Sequence, residues 1–545
     1  MQPTTDIMDS SLGFTHIVVG AGSAGCILAA RIAENPGFNV LLVEAGPDGS
    51  ELNATHGARD IRRVPMKGQS EVYDERIDWN VRVELPGGEF MHVAQAKLVG
   101  GGSSINGGTA LRNTIKDCEE WERLGNDAWG WSAVEDVYMA LEKRESNATS
   151  GVHPLVRTKA EEAGRIQQAF LAGAAECGLP WIADLNATAA EGSGASPVCR
   201  DGHRRISAAN TFIDPLREKA NFHILTHTPV DRVLFSGTRA TGVLLANHRQ
   251  ILASNEVVLS AGAVFSPALL QRSGIGPVSL LSSLSIPVLQ DLPIGANLAD
   301  HPCVPVVARP KPGAYVDGDF SLQMQARWSS TACPGAIDLQ MVCFSYLYAH
   351  AITSLPQQPI ASAHAPRSLG GSMAGHVAGI GCNVNKPTSF GNVNIQSRDP
   401  NQQPLIVPNY LSTAADRDCA RQAVRLANKI VLSDSMQAVL SPPLGLTPQI
   451  IASDRLLDDW MLSQYSSTYH FTSSCRMASR ERGGVVNQSG CVYGVQGLRV
   501  ADASVIPTIP AANTMWPTMM FAERIGRSVR DARPVGSEQK IDARL

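Results

Sequence analysis

His16-Ile-Val-Val-Gly20-Ala-Gly22-Ser23-Ala24-Gly25-Cys-Ile-Leu-Ala-Ala30 decides how the chain begins to fold. A short β-branched run, a turn with three glycines and an Ala-rich segment predict strand, tight turn and helix, the entry to a dinucleotide-binding βαβ unit. The glycines have separate tasks. Gly20 makes the sharp turn, Gly22 lets backbone approach a pyrophosphate, and Gly25 lets helix pack on strand, so Ser23 and Ala24 at the helix N-terminus face a diphosphate. Downstream, Asn39-Val-Leu-Leu-Val-Glu44-Ala45-Gly46 reads as the second strand, ending in an acid. Glu44, about 20 residues beyond the glycines, is placed to hold a ribose hydroxyl pair, with Ala45 beside it. The pattern specifies an adenine dinucleotide and leaves FAD and NAD open.

Composition narrows the class. With 545 residues the chain is too long for one core, so two domains interleaved along the sequence are expected. A net charge of −4 gives no basic footprint for nucleic acid or an anionic membrane. Residues 1–10 lack the basic and apolar regions of a signal peptide, and no run reaches the roughly 18 apolar residues of a membrane span. Eleven cysteines, an odd number without paired spacing, point to a reducing cytoplasm, where sequons such as Asn147-Ala-Thr149 carry no meaning.

A second glycine cluster, Val99-Gly100-Gly101-Gly102-Ser103-Ser104-Ile105-Asn106-Gly107-Gly108, exposes successive N–H groups and hydroxyls. Apolar residues enclose it, which favours a buried cofactor contact over a surface loop. Asn221–Leu234 and Thr241–Leu245 read as β-rich pieces of a hairpin turning at Gly237, from which Val230 meets the adenine by backbone contact. Asn255–Gly262 is a further strand-to-glycine unit that includes Ala261. The alternation Ile337-Asp-Leu-Gln-Met-Val-Cys-Phe344 predicts half-buried antiparallel strands, and Ala415–Val431 an amphipathic helix. Segments 310–319 and 355–373 read as loops, at a cavity mouth or on the surface.

The 99–108 cluster after an N-terminal dinucleotide fingerprint resembles the first signature of the glucose-methanol-choline (GMC) oxidoreductases, which are FAD enzymes. Trp121–Trp131, the second-signature match Gly262-Ala-Val-Phe-Ser266-Pro267…Gly276, Asp291–Pro302, and Tyr469-His470-Phe471…Cys475-Arg476-Met477 agree with it, over about 14 to 530. The resemblance implies an α/β fold: a Rossmann-like FAD domain (1–160, 205–305 and 480–545) interleaved with a substrate domain (161–204 and 306–479) of antiparallel sheet covered by helices. It places Asp502 and Ala503 by the diphosphate, and Thr514 and Pro517 near the flavin ring. Because Ile105 stands where some relatives carry a flavin-linking histidine, noncovalent FAD is expected.

The resemblance also implies the chemistry. His470 accepts an alcohol proton, its pKa lying near working pH, while the amide of Asn513 orients the oxygen and a hydride passes to flavin N5. Electrons then go to O2 or another acceptor. Asn513 is equally readable as a helix cap. Tyr469 and Phe471 beside the base, and the bulk of Trp516, lean the pocket towards an aromatic or otherwise apolar primary alcohol. No metal ligand set is expected. Two other readings remain: an FAD-containing lyase or decarboxylase of the same fold, and a flavin binder without catalysis.

Overall fold

The computed structural model describes residues 13–49, 75–144, 151–187, 191–202, 204–316, 321–348 and 376–532. Two sheets organise them. In chain order, their strands are β1 (His16–Val19), β2 (Val40–Val43), β3 (Gly192–Ala195), β4 (Phe222–Leu225), β5 (Glu256–Leu259), β6 (Pro302–Ala308), β7 (Met324–Trp328), β8 (Leu339–Tyr348), β9 (His376–Val384), β10 (Ser466–Ser467) and β11 (Leu498–Val500). The first sheet is parallel throughout, in the order β4-β2-β1-β5-β11. Its strands are four residues or fewer and mostly apolar, as a sheet covered on both sides requires. The second sheet is antiparallel, in the order β10-β6-β9-β8-β7-β3.

Helix α1 (Ser23–Ile32) follows β1 and is buried along nearly its whole length. A side chain on Gly25 would drive its Cβ into the carbonyl of Gly20, which itself sits at φ +98 against Ser260. Hence only glycine closes this turn. On its other face α1 packs on the C-terminal helix Met515–Arg530, where Arg31 Nε reaches both oxygens of the buried Glu523 at 2.8 Å.

Helices Arg165–Glu176 and Ala414–Val431 cover one face of the antiparallel sheet. The second is capped by Thr413, which accepts the Asp416 N–H, and it buries Ala420, Ala423, Val424 and Ala427 against that sheet.

Two sequence expectations need revision. The β-rich stretch 221–245 is not one hairpin. Phe222–Leu225 leaves it to pair in parallel with β2, and the antiparallel pair is Val230–Ser236 with Arg239–Leu245, turning at Gly237 with φ +59. In addition, β8 is not half-solvated. Leu339, Met341 and Cys343 face the helices, while Gln340 on the opposite face is fully buried. Residues 355–373, expected as loops, lie outside the described residues, whereas Pro310 bridges to Leu440.

Candidate active site

The site is built on a segment without regular structure, Thr508-Ile-Pro-Ala-Ala-Asn513, whose backbone groups need partners from elsewhere. Side chains supply them. Trp121 Nε1 donates to Thr508 O at 3.2 Å, Lys386 Nζ to Ile509 O at 2.7 Å, and His301 Nε2 to Pro510 O at 3.0 Å. Arg327 Nη2 donates to Ala511 O at 2.8 Å, and the Ala511 N–H is taken by the Asp117 carboxylate. Five side chains thus hold the segment that presents Asn513.

His470 comes from the other side, three residues after β10 ends at Ser467. The carboxylate of Asp300 anchors it. Oδ1 accepts the N–H groups of His301 (2.9 Å) and His470 (2.8 Å), and Oδ2 accepts the hydroxyls of Ser467 (2.5 Å) and Tyr410. Burial outweighs these four donors and pushes the Asp300 carboxyl up to about 6.

The position of the proton on His470 follows from hydrogen-bond bookkeeping. His301 is fully enclosed and its pKa is held far below normal by burial, so it is neutral. Its Nε2 meets a carbonyl, which only accepts, so Nε2 carries the proton and Nδ1 is bare. That bare Nδ1 lies 2.9 Å from His470 Nδ1, which must therefore be the donor. Thr468 agrees, since its hydroxyl donates to His301 O and has only a lone pair to offer His470 Nδ1, also at 2.9 Å. Nε2 of His470 is left bare, and burial pushes its pKa down to about 3, well below the working-pH value expected from sequence, so the ring is neutral near pH 7. This Nε2 lies 3.4 Å from Asn513 Nδ2. A neutral base and an amide donor therefore meet at a loose distance, both partly exposed to the site.

The remaining expected site residues fall into three groups. Around α1, the helix N-terminus has no side-chain cap and no acid in its first turn, and a methyl on Gly22 or Gly102 would meet nothing within 4 Å. One on Gly101 would meet Gly22 Cα at 2.5 Å, so the two glycine turns rest on each other and leave the helix end open. Ser23 is partly exposed there, with Ala24 and Gly25 buried behind it. Glu44 is buried, Oε2 accepting the Ala21 N–H at 2.8 Å and Oε1 the Gly46 N–H at 2.9 Å. Ala45 follows, and beyond Thr228, whose N–H meets Glu44 O, a cleft of about 280 Å³ opens between Thr228–Pro229 and Leu245–Asn247, next to Val230. This cradle fits an adenine dinucleotide.

The second group is more internal. Ser103 donates to Gly100 O and accepts the Ala208 N–H, and Asn106 Oδ1 accepts from the Gly108 N–H and from the buried Arg205, with Gly107 half-buried beside it. Val99 is fully enclosed, its N–H on Pro47 O. Asp502 accepts from the Gly262 N–H, Ser266 Oγ and both Ser504 groups. These donors use its capacity, so it organises the turn holding Ala261 and Ala503.

The third group separates. Tyr469 is 46% exposed and adopts φ +64. Phe471 packs instead in the apolar core of the antiparallel sheet. Trp516, expected in the substrate pocket, is fully enclosed, stacked on Tyr138 with ring centroids 6.4 Å apart. The reason is its place in the first turn of the C-terminal helix, where the inward face meets the parallel-sheet core. Thr514 is the N-cap residue of that helix without a side-chain cap bond, and Pro517 is buried in the first turn. Asn513 does not cap it. Sequence reading passed over His301, although it stands in the quoted Asp300-His301-Pro302, and over Arg327, Gln340 and Lys386, whose importance arises only from tertiary neighbours.

Comparison with known proteins gives the family. The pattern defining GMC oxidoreductases matches residues 14–303, and its C-terminal part matches 387–522. The mouse (Mus musculus) mitochondrial choline dehydrogenase is 32% identical over 540 residues, covering 94% of this chain and 88% of that protein. The 5-(hydroxymethyl)furfural oxidase of Methylovorus sp. (strain MP688) is 30% identical, covering 95% and 98%. Among solved structures, pyridoxine 4-oxidase from Mesorbium loti superposes with a TM-score of 0.83 at 25% identity, covering 96% of this chain and all of that one. The chain belongs to the GMC oxidoreductase family. It is an FAD-family oxidoreductase acting on CH–OH donors.

Proposed function

We propose that the protein oxidises a small primary alcohol to its aldehyde, with His470 as base and Asn513 as orienting group; with Phe471 and Trp516 in the cores, the expected preference for an aromatic or otherwise apolar alcohol keeps only Tyr469 in its support. The observation that carries the reading is the bare Nε2 of His470 facing the Asn513 amide N–H at 3.4 Å. That separation is at the far limit of a hydrogen bond, so little is lost when an alcohol oxygen enters between them. The hydroxyl then donates to His470 Nε2 and accepts from Asn513 Nδ2. As the proton moves to His470, the amide N–H stabilises the charge gathering on oxygen. His470 is uncharged near pH 7 and thus free to take the proton.

Bound FAD supplies the acceptor for the hydride leaving the carbinol carbon, at flavin N5. Gly20, Gly22, Ser23, Gly101 and Gly102 would hold its diphosphate region with Asp502 and Ala503, Glu44 its ribose, Val230 and Ala261 its adenine side, and Asn106, Thr514 and Pro517 its ring. Ile105, which has no nucleophile, supports noncovalent binding. The two sheets support a cofactor domain of 1–160, 205–305 and 480–545 and a substrate domain of 161–204 and 306–479. Relatives named for choline, a furan alcohol and pyridoxine share the CH–OH class, and nothing favours a lyase. All eleven cysteines are free, and no described helix is long and apolar enough to cross a membrane, which supports the cytoplasm as its place.

The test is anaerobic. Benzylic and aliphatic alcohols are added to the yellow protein and bleaching is followed, then air is readmitted to tell O2 from another acceptor. His470→Ala is expected to keep FAD and to slow bleaching about 10²- to 10⁴-fold. Substrate cleavage without bleaching would favour the lyase reading instead.

A further inference from the structure

The face of the antiparallel sheet turned to the site carries amides where packing alone would suit apolar side chains. Register places Arg327 opposite Gln340 and Gln340 opposite Asn383, with Gln325 two residues before Arg327 on the same face. Gln325, Gln340 and Asn383 are no more than 2% exposed, so neither solvent nor substrate reaches them. Burying three carboxamides is costly unless they are paired, and Gln325 Nε2 and Asn383 Oδ1 have no partner. The row therefore does not add to stability, and its value lies in what it holds.

Its hydrogen bonds run in one direction. Asn383 Nδ2 donates to Gln340 Oε1 at 3.1 Å, which fixes Gln340 Nε2 on the other side as donor. Nε2 donates to Gln325 Oε1 at 2.5 Å and to Asn513 Oδ1 at 3.1 Å. With its oxygen taken, Asn513 presents Nδ2 to His470 Nε2. A flipped Asn513 would set carbonyl against lone pair there, and carbonyl against the charge developing on the substrate oxygen.

We propose that Gln340 is a positioning residue, which fixes the Asn513 carboxamide with its N–H turned to the reacting oxygen. This rests on the reading of Asn513 given above. Gln340 touches neither substrate nor cofactor, and Asn383 and Gln325 act by keeping its own amide from turning.

The experiment measures anaerobic flavin reduction by stopped flow in the FAD-loaded protein, using whichever of benzyl alcohol, 5-(hydroxymethyl)furfural, pyridoxine and choline bleaches the unmodified enzyme fastest. Gln340→Leu, Asn513→Ala, the double variant and the near-isosteric Gln340→Glu are compared, with flavin content and melting temperature recorded for each. Gln340→Leu is expected to slow reduction about 10- to 100-fold with FAD retained, and the double variant to be no slower than Asn513→Ala. In Gln340→Glu the new carboxylate only accepts, so it turns Asn513 the wrong way at high pH. Protonation restores a donor, so its rate should rise relative to the unmodified enzyme as pH falls, a signature that a purely structural role does not produce.

Gln340→Leu at full rate beside a slow Asn513→Ala overturns the inference alone, as do additive losses in the double variant or an unshifted pH profile for Gln340→Glu. Asn513→Ala at full rate, or no bleaching by any of the four alcohols, overturns the reading of Asn513 and this inference with it.

Discussion

The role proposed for His470 as base rests on its single proton being assigned to Nδ1 by a neighbour, and that neighbour's by the carbonyl of Pro510. With its pKa near 3, His470 gives no titration at the ordinary histidine value of about 6.5. The group that does titrate close to neutrality is Asp300, at about 6. Above that pH it is an acceptor for the N–H groups of His301 and His470. Below it, an added proton needs an acceptor that Ser467 and Tyr410 provide only by turning. We expect kcat/KM to stay level from pH 8 to about 6 and to fall below it, and Asp300→Asn to remove that limb. A limb unchanged in Asp300→Asn would assign it elsewhere. His470 and Asn513 were legible in the sequence because each lies in a dense local motif. The ring that sets the tautomer was not, because His301 gains its role from Pro510, more than two hundred positions away.

Among elements, the strand-turn-helix at 16–32 was fully legible, its contacts being local. Gly25→Ala puts a methyl into Gly20 O, a backbone atom that cannot yield, and this variant should purify without flavin and melt lower. Yellow protein at full occupancy would refute the claim. The 508–513 segment was illegible as an element, having no periodicity and drawing its partners from four distant places. Lys386→Met removes the donor to Ile509 O and the ion pairs to Asp117 (2.9 Å) and Glu120 (2.7 Å). Asp117 is 1% exposed, so its charge would stay buried with less compensation. A loss of about 3 kcal/mol, read by urea unfolding, together with slower flavin reduction, is expected. Loss of stability at unchanged rate would show that Lys386 does not position Asn513. For β8 the alternating pattern gave the right strand, but its polar face turns to the site instead of water, a distinction that period-2 spacing does not carry.

On the scale of the whole molecule, the parallel sheet takes strands from residues 16 to 500, and the chain crosses to the antiparallel sheet and back between them. His470, Asn513 and Gln340 meet only because both sheets are complete, so loss of either ends the chemistry. Acid should be one route to that loss. His16 and His153, like the two site histidines, are held neutral by burial, each at about 4. His153 is fully enclosed, its ring tilted on Trp516 and stacked over Phe212 with centroids 6.1 Å apart. The unfolded chain takes a proton on this ring near 6.5 and the folded chain only near 4, so folding loses ground as pH falls from 6.5 to 4, by about 2 kcal/mol at pH 5. Asp300 opposes this, since its raised pKa lets the folded state bind a proton first, and Glu44 and Asp502, also raised by burial, act in the same sense. A single substitution isolates the histidine's sign. His153→Phe keeps the stacked ring and removes the titration, so the drop in melting temperature between pH 7 and pH 5 should be smaller in the variant, whatever its stability at pH 7. An equal or larger drop would mean that His153 is already protonated in the folded protein at pH 5, and that its enclosure between the aromatic rings does not exclude the charge.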